Sequence, residues 1–400
     1  MSLCKFLSSV VLALLIGAAG AHASPLTTLY SFCSKAQGTE CLDGKAPASR
    51  LVEINGAFYG TASAGGSTQG GTLFRISAAG SFTLLHTFCP QTPCQDGAKP
   101  GHYLTRGPSG AVYGVTTDGG LNDGGTVFRT TGNGTFSVVY KFCSKPRCAD
   151  GSQPVSILYD GQGSFIGTTA AGGSHGGGTV FTIGSGGVLR VLHNFCAKSG
   201  CADGAAPGPL MRARDGNFYG MTAAGGANHA GMIFRMTPAG AVTELYAFCG
   251  AKKCPDGSQP AGPLVEGRGG NLYGATTQQG ANNHGTIFEM SPAGALHTVY
   301  SFCALSNCQD GATPIDGMVL AKDGSLYGTT SSGGRFYNGS VFRLQGGKYS
   351  VVYNFCAQHG CFDGATPGAS PIFGSDGLLY GVTETGGASG NYGTVYRAEP

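Results

Sequence analysis

The chain has 400 residues, a net charge of +3 and only 11% charged side chains, against about 25% in ordinary globular domains. With so few charges and no basic run, neutralising a phosphate backbone is excluded as its task, and nucleic acid is not an expected partner. Glycine reaches 72 residues but recurs at fixed phases beside aromatic and β-branched residues, which disordered low-complexity sequence does not do.

The first 23 residues differ in kind from the rest: Lys5, an apolar core "VVLALLIGAAG", then "AHA" ending at Ala23. This is the pattern of a secretory signal peptide, cleaved near Ala23. It predicts a mature chain over 24–400 that is secreted or periplasmic. The apolar core is shorter than the roughly 20 residues a membrane helix needs, and no later segment is both long and apolar, so no membrane span is expected in the mature chain. Cys4 precedes the apolar core and leaves with the leader.

From residue 32 onward one string recurs. "FCPQTPCQDGAKP" begins at Phe88, "FCSKPRCADGSQP" at Phe142, "FCAKSGCADGAAP" at Phe195, "FCGAKKCPDGSQP" at Phe248, "FCALSNCQDGATP" at Phe302 and "FCAQHGCFDGATP" at Phe355, with a looser copy at Phe32. The leading cysteines of these seven copies stand 53 to 56 residues apart, so the chain reads as one repeat-built domain. Fourteen cysteines fall into seven local pairs: Cys33 with Cys41, Cys89 with Cys94, Cys143 with Cys148, Cys196 with Cys201, Cys249 with Cys254, Cys303 with Cys308, and Cys356 with Cys361. In an oxidising compartment that leaves no thiol over and predicts one disulfide per repeat. Structural zinc takes four Cys or His ligands and each repeat offers two, so neither a metal nor any other cofactor is expected. A loop this short gains about 2 kcal/mol per bridge in the chain-entropy picture.

Within one repeat, 100–143, the stretches "AVYGVTT", "GTVFRTT" and "FSVVYKF" are short, rich in Val, Thr, Tyr and Phe, and separated by glycine turns, with a weaker fourth stretch "GHYLTR" ahead of them. Four antiparallel strands in a repeat of about 50 residues match the blade of a β-propeller. The Tyr-Gly strand occurs seven times, at Tyr59, Tyr113, Ile166, Tyr219, Tyr273, Tyr327 and Tyr380, which predicts an all-β, seven-bladed propeller. "LTTLYSFC" at the start matches a fourth strand, and "YGTVYRAEP" at the end matches a third. Pairing between the two would complete a blade and leave no open edge, whereas an open solenoid would leave both edges bare.

The pattern carried by "GSLYGTTSSGGRFYNGSVFRL" from Gly324 resembles the GloVer-type tandem repeat of choice-of-anchor bacterial surface proteins, over nearly the whole mature chain. The resemblance implies an exported, repeat-built protein. Members often end in a sorting tail, whereas this chain stops at Pro400 on a strand, so release or periplasmic residence is expected rather than surface attachment.

Residues shared by all repeats argue for scaffold. Asp43, Asp96, Asp150, Asp203, Asp256, Asp310 and Asp363 read as turn acceptors beside glycine, and the recurring Phe74, Phe128, Phe181, Phe234, Phe288 and Phe342 as packing between blades. Function is expected where the copies disagree, on the face that carries the Gly-rich hairpins and cysteine loops. The sixth hairpin holds Arg335, Phe336, Tyr337 and Asn338, and the seventh holds Tyr392, a set suited to stacking on a sugar ring or anchoring a protein. Arg50, His102 and Asp316 fall on innermost strands and are candidates to line the central channel. His175, His229 and His284 stand at unequal distances from their flanking glycines, which speaks against a shared metal site. The nucleophile-elbow string "GGSHG" at 172–176 falls in a hairpin instead of a strand-to-helix turn, and no close carboxylate pair of the glycosidase kind is visible. The expected function is non-catalytic recognition or scaffolding by a monomer at the cell envelope or outside it, with a glycan or protein as partner. The alternative is a propeller-fold lyase or hydrolase with its site at the channel mouth.

Overall fold

A computed structural model describes residues 26–400; the signal-peptide reading of 1–23 falls outside the described residues. Seven antiparallel sheets follow one another round a central bore, one per repeat. Blades 1 to 6 run in chain order from the innermost strand outwards. Blade 4, for example, pairs Ala205–Pro207 and Met211–Arg212 with Phe218–Ala224, then Met232–Met236, then Val242–Ala247. The innermost strand is continuous in blade 3 (Ser152–Tyr159) and blade 5 (Ser258–Glu266), and broken into two short pieces in the other five.

Blade 7 takes its outermost strand from the other end of the chain. Leu26–Ser31 pairs antiparallel with Thr394–Ala398, in a register that sets Leu26 opposite Ala398 and Ser31 opposite Thr394. The ring is therefore closed by hydrogen bonds, and neither partial repeat leaves a bare edge.

Two sevenfold contacts hold the blades together. The phenylalanine of each "FC" pair is at most 1% exposed and packs on the third strand of the next blade. Ring centroids are 5.1 to 5.5 Å apart, from Phe32 against Phe74 round to Phe355 against Tyr396. These rings explain the Tyr-Gly dipeptide: a Cβ on Gly60 would sit 2.4 Å from the Phe74 ring. At about 1.5–3 kcal/mol per buried phenylalanine, this belt is a main source of inter-blade cohesion.

The second contact is a backbone clasp. The residue before each repeat proline adopts φ between 50° and 55° although none of the seven is glycine. That left-handed conformation costs about 1–2 kcal/mol in an L-residue. It turns the N–H towards the preceding blade, where a carbonyl of the Gly-rich hairpin accepts it at 2.8 to 3.0 Å, as Lys99 N donates to Gly70 O and Ala46 N to Tyr392 O. The proline then seats on a glycine of that hairpin, leaving no room for a side chain: a Cβ on Gly393 would lie 2.5 Å from Pro47. The clasp between Ala46 and Tyr392 joins blade 1 to blade 7, so the closing joint is built like the other six.

Candidate functional site

The Gly-rich hairpins and the cysteine loops share one face. Each loop leaves one hairpin and ends against the next, where the second cysteine's carbonyl accepts a hydrogen bond from a hairpin glycine, as Gly387 N donates to Cys361 O at 2.9 Å. All seven disulfides form within their own loops. The repeated aspartates organise these loops. Asp310 accepts from Ala304 N (2.8 Å), Leu305 N (3.1 Å) and the Tyr300 hydroxyl (2.6 Å). Five repeats have this tyrosine, and in a sixth His86 Nε2 meets Asp96 at 2.7 Å. Burial first, then the neighbouring carboxylate, pushes the Tyr246 phenol up to about 12, so its hydroxyl keeps its proton and donates. The exception is His193, whose Nε2 is buried without a hydrogen-bond partner beside Asp203.

On this rigid frame the sector of blades 6 and 7 is distinctive. Arg335, Phe336, Tyr337 and Asn338 form the sixth hairpin and Tyr392 lies in the seventh. Phe336 is 37% exposed, Tyr337 64% and Tyr392 37%. Arg335 N donates to Asn354 Oδ1 at 2.8 Å, and its guanidinium lies 5.6 Å from the Phe336 ring centre. Asn338 holds the hairpin by donating from Nδ2 to Phe336 O, while its own carbonyl accepts the clasp from Thr366 N. Phe362, 47% exposed, stands directly after the Cys356–Cys361 loop that links these two hairpins. Sequence reasoning passed over it, yet the signal was present: the other six repeats carry Leu42, Gln95, Ala149, Ala202, Pro255 and Gln309 there.

Arg50, His102 and Asp316 do not join that cluster. Asp316 is 4% exposed, with both oxygens engaged. Oδ1 accepts from the Tyr103 hydroxyl and Gly317 N, and Oδ2 from Ser370 N, at 2.7 to 2.9 Å. Tyr103 belongs to blade 2 and Asp316 to blade 6, so their bond crosses the bore. Burial, reinforced by Asp316, holds the Tyr103 phenol well above its usual range. Blades 5 and 6 touch at the same level, where a Cβ on Gly262 would fall 1.9 Å from Gly317 N, and Arg50 N donates to His102 O at 2.8 Å. Together these contacts form a septum across the bore. Between the septum and the face opposite the cysteine loops lies a cavity of about 490 Å³, lined in part by Arg50, Tyr103, Ser156, Leu210 and Leu264.

His102 is exposed and interacts electrostatically with Glu384 of blade 7, whose carboxyl is raised by burial and lowered in part by His102. His175 and His229 are exposed on their hairpins. His284 has its ring nitrogen within 4.8 Å of the Cys303 and Cys308 sulfurs, but those sulfurs are bonded to each other and offer no thiolate. Ser174 of "GGSHG" sits in a hairpin, its N–H donating to Asn194 Oδ1. No helix among the described residues is long and apolar enough to cross a membrane.

The architecture is a seven-bladed, disulfide-stapled β-propeller. The Gloeobacter/Verrucomicrobia repeat family matches residues 19–181 and 153–396, and the chain belongs to that family. No curated protein matches it. Among solved structures the chain is similar to the extracellular domain of a hybrid two-component system from B. thetaiotaomicron (9% identity, TM-score 0.57, covering 88% of this chain and 38% of that one). A second structure, the extracellular domain of a one-component system from the same organism, gives 13% identity, TM-score 0.57, and 91% and 40% coverage. A puromycin hydrolase gives 11%, 0.55, 89% and 53%. The chain thus spans about two fifths of the first two and about half of the third. At these identities the likeness is one of fold, and propellers host unrelated activities.

Proposed function

We propose that this protein is an exported, non-catalytic recognition or scaffold module of the cell envelope or extracellular space, which holds a glycan or protein against the blade 6 and 7 sector of its loop-rich face. One observation carries the reading: Phe336, Tyr337, Phe362 and Tyr392 are each exposed, on consecutive loops whose backbones are fixed by a disulfide, an aspartate and the inter-blade clasp. Rings carried on backbones that are already ordered lose only side-chain freedom on binding, which suits stacking on sugar faces or filling a partner's pockets. The leader pattern and seven disulfides accord with an oxidising compartment, and two propellers of similar fold are extracellular domains.

The test is a glycan array and an envelope-extract pull-down with the oxidised protein, run beside Phe336→Ala/Tyr337→Ala/Phe362→Ala/Tyr392→Ala. Loss of capture by the variant, with unchanged thermal unfolding, supports the site; equal capture by both rejects it. One observation favours the hydrolase or lyase alternative: the elevated Glu384 carboxyl with His102 near it. Absence of capture by either protein would shift weight to that reading, which requires Glu384→Gln to abolish any turnover found.

A further inference from the structure

The bore carries one arginine that the fold does not pair. Arg50 lines the cavity, and among the described residues it makes no ion pair and no side-chain hydrogen bond. The carboxylates nearest in the architecture are committed elsewhere. Asp316 accepts from Tyr103, Gly317 and Ser370 in the septum, and Arg50 acts on the Tyr103 phenol only through its charge, with no hydrogen bond to either. Glu266, at the far rim, accepts from Arg214 N at 2.9 Å and faces its guanidinium at 3.7 Å. Arg212, also on the wall, donates to Asp160 O at 2.7 Å and lies over the Phe218 ring. Arg50 is therefore the lining cation whose donors are unclaimed. Its guanidinium faces the cavity with no protein acceptor, and its planar fork matches a carboxylate in bidentate fashion.

The remaining wall sets the rest of the chemistry. Leu104, Leu158, Met211, Pro263 and Val265, all partly exposed, supply apolar surface along the bore, while Leu51, Leu210, Leu264 and Met318 border it from within the blade cores. A cavity of about 490 Å³ lies within the roughly 300–1,000 Å³ typical of small-molecule sites, which are mainly apolar with a few orienting polar groups. The septum closes the end towards the cysteine loops, so a ligand enters from the opposite face. We infer that this cavity is a binding site for a small amphipathic monocarboxylate, its carboxylate on Arg50 and its apolar body along the bore wall. The site lies beyond the septum from the aromatic hairpins and is independent of them.

The experiment titrates the oxidised mature protein calorimetrically with 1-naphthoate, benzoate and decanoate, with 1-naphthylmethanol as the uncharged counterpart. At least one carboxylate should bind with a 1:1 stoichiometry, and 1-naphthylmethanol should bind at least about tenfold more weakly than 1-naphthoate, as expected when a charge-assisted hydrogen-bond pair is lost. Arg50→Gln should weaken the carboxylate by a similar factor, Arg50→Lys by less, and Thr105→Trp, which fills the cavity, should abolish binding. The quadruple aromatic variant should bind unchanged. Each variant is first matched to the parent in thermal unfolding; should Arg50→Gln not fold, the Thr105→Trp result and the comparison with the alcohol decide. No binding by any of the three carboxylates at millimolar concentration, equal binding of acid and alcohol, or full binding by a folded Arg50→Gln variant would each overturn the assignment.

Discussion

Replacing His193 by tyrosine should stabilise the protein. In five repeats a tyrosine at this position donates to the loop aspartate at 2.6 to 2.9 Å. The third repeat keeps the aspartate, with Asp203 accepting from Ala197 N and Lys198 N, but leaves the His193 Nε2 buried and unpartnered. The geometry suits the substitution: His193 lies opposite Val180 as Tyr140 lies opposite Val127, and both rings meet the following phenylalanine edge-on. A hydrogen bond to a charged acceptor contributes about 1.5–3 kcal/mol, reduced by the extra side-chain ordering, so a gain of about 2 kcal/mol is expected. With an unfolding entropy of about 2.1 cal/mol/K per residue, residues 26–400 give roughly 0.8 kcal/mol/K, and Tm should rise by about 2–3 °C. Differential scanning calorimetry at pH 7.5 measures this directly. Repeating His193→Tyr in an Asp203→Ala background should erase the gain. An unchanged or lower Tm, or a gain that survives loss of Asp203, would refute the reasoning.

Acid should weaken the fold before most carboxylates titrate. Burial holds the His86 and His193 imidazoles below their ordinary value near 6.5, so the unfolded chain takes up protons first and stability falls as pH drops from 7.5 towards 5.5. Tm over that range should decline, less steeply in His193→Tyr; a rise on acidification would contradict the assignment. Asp310→Ala strips the acceptor from Tyr300, Ala304 and Leu305 and should cost about 3 kcal/mol in urea unfolding, at roughly 1–3 kcal/mol for each group left unsatisfied. Deleting 26–31 removes buried Leu26 and the stack of Tyr30 on Phe82 at 4.0 Å and bares the edge of Thr394–Ala398. More than about 5 kcal/mol should be lost, since each large buried side chain contributes about 1.5–3 kcal/mol. Native-like Tm and solubility of that truncation would show that the closing pair is dispensable.

The scaffold was legible because it is written seven times. A period of 53 to 56 residues, a strand alphabet between glycines and two half-repeats at the ends define the blade, its number and its closure, and each cysteine finds its partner within its own loop. The candidate site was legible in part, because Arg335, Phe336, Tyr337 and Tyr392 break the repeat inside hairpins whose face follows from topology. Phe362 breaks it too, but in a loop that reads as structural. The septum was out of reach. Tyr103 and Asp316 are 213 residues apart, and the bond between them depends on how far each broken inner strand turns inwards, a property with no local signature. Hence Asp316, which reads as a polar channel residue, accepts three hydrogen bonds in the interior.

The antiparallel register that sets Leu26 opposite Ala398 also decides how the ring answers mechanical load. Tension applied between the two ends of the chain would meet the first rung of that ladder and break its rungs singly, like a zip, instead of shearing them all at once, so the joint that seals the ring is also the place where pulling would open it.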